Sequence, residues 1–114
     1  MLSMLLALAQ VLDSTLPVEQ IPGEMLRTYL RVEDYPPEAI AAGEQGRTAF
    51  EVLLGTDGRV KQCVVTEGSG SPILDSQTCR LMTERLRFTP AEDEDGRPME
   101  ARAAGALTWQ LPKP

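Results

Sequence analysis

The sequence contains no histidine. That removes the commonest general base and the commonest transition-metal ligand. It has only two cysteines, Cys63 and Cys79, and their spacing is not the Cys-x-x-Cys of a redox-catalytic pair. No basic stripe is present. The net charge is -6, which argues against nucleic acid and against anionic membranes as partners. No apolar run approaches the ~20 residues needed to cross a bilayer, so the chain as written carries no transmembrane anchor. Apparent catalytic and metal motifs fail on inspection. Gly68-Ser69-Gly70-Ser71 is not a Gly-x-Ser-x-Gly elbow, and it lacks the Gly-Lys-Ser/Thr of a phosphate loop. Residues 92–96 resemble a calcium loop, but Arg102 falls where the bidentate acid belongs. Asp57 and Glu67 sit at opposite ends of one strand, about 30 Å apart at the strand rise and too far for paired acid–base work. These absences predict no enzyme, no cofactor, no metal and no small-molecule substrate.

What is present is one small domain. A chain of 114 residues supports one core and buries roughly two thirds of its unfolded surface. Nine prolines and nine glycines predict short elements with marked turns. Residues 1–9 are apolar and end in Ala7-Leu8-Ala9, the small-x-small pattern of a signal-peptidase site. The stretch lacks a basic start and is short, so it reads either as a signal-peptide remnant or as an amphipathic helix. Residues 10–33 read as an extended lead-in. Within them, 25–32 fits a helix face or a strand face, and Pro36 soon after tips the reading towards strand. Residues 34–114 form the domain proper.

Its first element is a short helix after Tyr35-Pro36-Pro37. Proline is accepted in the first turn, alanines propagate the helix, and Gly43 supplies the left-handed cap. Ala39 and Ile40 are expected to face a sheet. Residues 46–90 then read as strand, turn, strand, Gly/Ser loop and helix. Thr48, Phe50, Val52 and Leu54 mark the core side of the first strand, and Asp57-Gly58 is a hairpin turn. In the second strand plain alternation puts Val60 inside and Cys63 outside. An extra residue near Lys61-Gln62 restores Cys63 and Val65 to the inner side, which predicts a β-bulge; the alternative is a regular strand with Cys63 exposed. The helix from about 73 to 86 carries Leu74, Cys79, Met82 and Leu86 inward and Arg80, Glu84 and Arg85 on its wet side. A final strand covers 99–111, with Leu107, Trp109 and Leu111 on one face and a small, weak middle at 103–106.

A helix lying across the hairpin can bring Cys63 and Cys79 together. A disulfide there closes a loop worth about 3 kcal/mol in the chain-entropy model and implies an oxidising compartment. The alternative is two buried free thiols.

Taken in order, Tyr35-Pro36, an Ala-rich helix, Gly46 and an aromatic-bearing strand, Asp57-Gly58-Arg59-Val60, Gly68-Ser69-Gly70, Leu74-Asp75, Arg87-Phe88-x-Pro90-Ala91, Gly96-x-Pro98 and an aromatic last strand resemble the C-terminal domain of TonB energy transducers. The resemblance covers about residues 34–111. It implies an α+β, two-layer sandwich with two helices on one face of an antiparallel three-stranded sheet. It implies a periplasmic, cell-envelope domain that binds the N-terminal TonB-box peptide of outer-membrane TonB-dependent receptors during transmembrane transport. Recognition in such domains is strand addition at the edge of the last strand. Carried over, the peptide-binding residues are Val32, Glu33, Asp34 and Tyr35, with Glu100, Arg102, Ala104, Ala106, Thr108 and Gln110 along the edge. The small residues at 103–106 then either leave that edge accessible or simply make a poor strand. The family's membrane helix and Pro-rich spacer do not appear in this sequence, and Glu33 and Asp34 are acidic where members often carry basic residues. The competing expectation is an envelope structural or assembly domain that forms a homodimer through the same edge.

Overall fold

The computed structural model describes residues 16–112; the proposed signal remnant at 1–9 lies outside them. The fold is built on the hairpin. Strand β2 (Gly46–Leu54) alternates as expected, with Thr48, Phe50, Val52 and Leu54 buried on one face. The turn at Gly55–Gly58 closes with the Gly58 N–H on the Gly55 carbonyl at 3.0 Å and the Arg59 N–H on the Asp57 carboxylate at 3.0 Å. Gly58 is required twice over. Its φ is +80°, and a Cβ there would lie 1.8 Å from the Phe88 carbonyl oxygen.

Strand β3 (Val60–Glu67) returns antiparallel, and the bulge is present. Leu54 pairs with Val60 and Leu53 with Gln62, which leaves Lys61 unpaired and puts Cys63 opposite Val52 on the core face. A second shift leaves Thr66 out between the Ala49–Glu67 and Phe50–Val65 pairs; sequence alternation did not signal it.

The long helix (Pro72–Arg85) begins on Ser71, whose hydroxyl accepts the Leu74 N–H at 3.3 Å, with Pro72 at the first helical position. Leu74, Thr78, Leu81 and Met82 are buried against the sheet. The Cys63–Cys79 disulfide ties this helix to β3 across a Cα–Cα distance of 5.6 Å. A shorter helix (Pro37–Ala41) packs beside it and ends where Gly43 turns left-handed at φ +67°. Ala39 is buried there, but Ile40 points outward and is half exposed, contrary to expectation. The helix has about one and a half turns and presents one residue to its neighbour, not two.

Two elements precede these and correct the reading of the lead-in. Strand β1 (Val18–Gln20) is short and lies between Pro17 and Pro22. Helix α1 (Gly23–Arg27) replaces the strand expected at 25–32. Glu24 in its first turn and Arg27 in its last suit the helix dipole. Leu26 settles the helix: it is fully buried, and its Cδ1 lies 2.9 Å from where a Cβ on Gly105 would stand. Pro36 is too far along the chain to govern this turn. In chain order the two later helices are α2 (Pro37–Ala41) and α3 (Pro72–Arg85), and a 3₁₀ turn (Val32–Asp34) links α1 to α2.

After α3 a small hairpin of β4 (Ala91–Glu92) and β5 (Pro98–Met99) surrounds the acidic turn, and β6 (Ala101–Trp109) completes the sheet. The sheet order is β1-β6-β2-β3. Strands β6, β2 and β3 form the expected antiparallel core, with helices over the Phe50 face. The parallel strand β1 is an addition at the β6 side.

Candidate peptide-binding edge

The last strand is held centrally by β2 through nine paired positions, from Gly46–Trp109 to Leu54–Ala101. Its inner face carries Ala103, Gly105, Leu107 and Trp109. The outer side is defined by one bond: the Ile21 N–H donates to the Ala104 carbonyl at 2.8 Å. Along a strand, backbone polar groups point to alternate sides. The N–H and C=O groups of Arg102, Ala104, Ala106 and Thr108 therefore face away from β2.

That outer edge has two halves. In the first, β1 runs parallel to β6 and pairs Val18 with Arg102, Glu19 with Ala103 and Gln20 with Ala104. The edge expected to be open is therefore occupied at Arg102 and Ala104. Arg102 also holds the Leu16 carbonyl at 3.2 Å and the Glu51 carboxylate at 2.8 Å. In the second half, no strand among the described residues runs beside Ala106 and Thr108. There the chain turns away at Pro22 into α1, leaving a cleft of about 330 Å³ between Gly23 and Arg27 on one side and Ala106, Thr108 and Gln110 on the other.

Around the end of β6 lies a second groove of about 260 Å³, lined mainly by apolar groups. Leu30, Val32, Tyr35, Ile40, Trp109 and Gln110 shape it. Val32 is 90% exposed and Ile40 51% exposed. The aromatic floor is rigid. Tyr35 and Trp109 meet edge to face at 5.3 Å, the Trp109 Nε1–H donates to Thr78 Oγ1 at 2.8 Å, and the Tyr35 hydroxyl donates to the Glu44 carbonyl. Burial, with the nearby Glu44 carboxylate, pushes the Tyr35 pKa up, so this hydroxyl stays a donor.

The residues inferred from the resemblance thus separate. Val32, Tyr35, Thr108 and Gln110 converge on the apolar groove, and Ala106 joins Thr108 and Gln110 at the cleft beside α1. Glu33 is exposed nearby. Asp34 is turned inward. Arg85 grips its carboxylate at 2.5 and 2.8 Å, and the Arg31 N–H adds a bond at 2.7 Å. Arg85 therefore leaves the wet side of α3, and its guanidinium holds the Asp34 carboxyl below its ordinary value. Glu100 is drawn to Lys61 at 2.6 Å, across the sheet from β1. Leu30, Ile40 and Trp109 were not anticipated in the site. Ile40, a large apolar residue beside the smaller Ala39 on a helix of about one and a half turns, was the available signal. Among the described residues no group of acids, cysteines or histidines could hold a metal, and no helix is long and apolar enough to cross a membrane.

These features define a small, disulfide-bonded α+β domain with a half-covered sheet edge beside an apolar groove. The chain belongs to the family described as the Gram-negative bacterial TonB protein C-terminal, which it matches over residues 32–111. That family is a non-enzymatic, periplasmic domain of transport energy transduction that interacts with outer-membrane transporters. Among solved structures it is similar to the solution NMR structure of the Pseudomonas aeruginosa TonB CTD, at 23% identity and a TM-score of 0.55, covering 70% of this chain and 79% of that one. No curated protein matches it.

Proposed function

We propose that this domain is a periplasmic binding module that takes extended N-terminal peptides of outer-membrane TonB-dependent transporters by strand addition to the outer edge of β6. One observation carries the reading: Ala106 and Thr108 turn backbone donors and acceptors outward beside the groove of Val32, Tyr35, Ile40 and Trp109. Main-chain pairing supplies affinity that tolerates side-chain variety, and an apolar groove beside the edge selects an anchor residue. The disulfide fits an oxidising compartment.

The test is titration of isotope-labelled protein with synthetic transporter N-terminal peptides. Amide signals of Ala106, Thr108 and Gln110 are expected to shift. The substitution Ala106→Pro, which deletes one outward N–H without touching the β2 ladder, is expected to weaken binding about tenfold. Unmoved signals at millimolar peptide overturn the reading. A concentration-dependent dimer in sedimentation, abolished by the same proline, would instead assign the edge to self-association.

A further inference from the structure

The same edge that the proposed function gives to a peptide is already partly filled by the chain itself. We infer that β1 is an internal occupant of the peptide site, and that a transporter peptide binds by displacing it. This rests on the strand-addition reading above and adds its regulation.

Three observations carry it. First, β1 makes the contacts that an added strand would make. It pairs in register with Arg102, Ala103 and Ala104, and the following Ile21 N–H closes on the Ala104 carbonyl. Second, β1 is built to be short. Pro17 and Pro22 bracket it, and a proline has no N–H with which to extend a ladder. Glu19 and Gln20 are exposed and Val18 is only half buried; the buried anchor is Ile21, which sits against α1 and the sheet at Gly105. Peeling back Val18–Gln20 therefore uncovers the outward backbone groups of Arg102 and the Ala104 N–H and leaves the core in place. Third, the edge beyond Ala104 is open at Ala106 and Thr108, and it is continuous with the covered part. An incoming peptide can pair there first; once the Ile21 N–H releases the Ala104 carbonyl, it can replace β1 residue by residue, much as an invading strand uses a toehold.

The consequence is a conformational tax. A site open only a fraction of the time shows an apparent affinity reduced by that fraction. Two variants of this chain test it with the transporter peptide used above. Glu19→Pro disrupts the exposed middle residue of β1 and is expected to bind about tenfold more tightly, as for a strand docked about nine-tenths of the time. The pair Gln20→Cys with Ala104→Cys tethers β1. These are facing positions one strand spacing apart, about 4.8 Å, within disulfide range. Ala104 lies opposite Glu51, on the face away from Cys63 and Cys79, so the native bridge stays intact. The oxidised tether is expected to lose binding at least tenfold against the unaltered chain, with no reductant required. If Glu19→Pro fails to fold, the tether alone decides. Equal affinity in the unaltered and tethered chains overturns the self-occupancy while leaving the strand-addition reading standing. Failure of every form to bind, the released edge included, overturns both.

Discussion

Single residues carry more of this fold than their chemistry suggests. Gly58 is the sharpest case, with a left-handed φ and the Phe88 carbonyl where a methyl group would go. Gly58→Ala is expected to cost more than about 2 kcal/mol, read from the urea midpoint, because neither strain nor clash can be relieved without moving the Phe88 backbone. Asp34 and Asp75 govern the acid limit. The Arg85 guanidinium lowers the Asp34 pKa. Burial of Asp75 opposes its ionisation, but hydrogen bonds from Ser69 and from the Thr48 hydroxyl outweigh it, so its pKa is also lowered. Depressed carboxyls favour the folded state above their unfolded value of about 3.9, and that stability is lost as pH falls through the folded values. Stability is therefore expected to be flat near neutrality and to fall below about pH 4. Denaturant titrations across pH check this; the double variant Asp34→Asn, Asp75→Asn should be less stable at neutral pH and show a flatter acid limb.

Among the elements, the bridge between β3 and α3 matters most. Replacing both cysteines by alanine is expected to cost about 3 kcal/mol on the loop-entropy argument, measured by chemical denaturation. The same pair shows what could be read without coordinates. The bulge at Lys61 and the disulfide follow from where apolar residues fall within twenty positions of one another, so local pattern and packing agreed. Helix α1 and strand β1 were not legible for the same reason reversed. Leu26 and Leu30 suit either period, and what decides for helix is the space above Gly105, seventy-nine positions on. Three residues of β1 carry no periodic signal, and their partner strand lies far along the chain. The edge residues showed a similar split. The inward face of Leu107 and Trp109 was readable from the two-residue period, while the edge positions came from the family resemblance and the inward turn of Asp34 depended on Arg85, a partner on another helix.

For the whole molecule, one question is which compartment the chain folds in. Thiol counting by mass spectrometry under denaturing, non-reducing conditions is expected to find no free thiol in protein recovered from the periplasm; two free thiols would remove the oxidising-compartment argument. The sheet is also asymmetric in how its sides are secured. On the β3 side the Cys63–Cys79 bond fixes helix to strand, and the Arg59–Arg87 bridge extends the pairing beyond α3. On the β6 side, among the described residues, the three residues of β1 pair along an edge nine residues long. The two margins of the sheet are thus secured differently, the β3 side by a covalent bridge and the β6 side by a short strand.

The extra residue at Lys61 also has a genealogical reading. Without it, Val60, Gln62 and Cys63 would still face Leu54, Leu53 and Val52 in unbroken succession. A one-residue deletion there would close up the ladder and keep Cys63 opposite Val52, whereas a deletion between Val52 and Leu54 would turn one strand over against the other. Related chains that differ in length within this hairpin can accommodate the difference at Lys61 and still form the same disulfide.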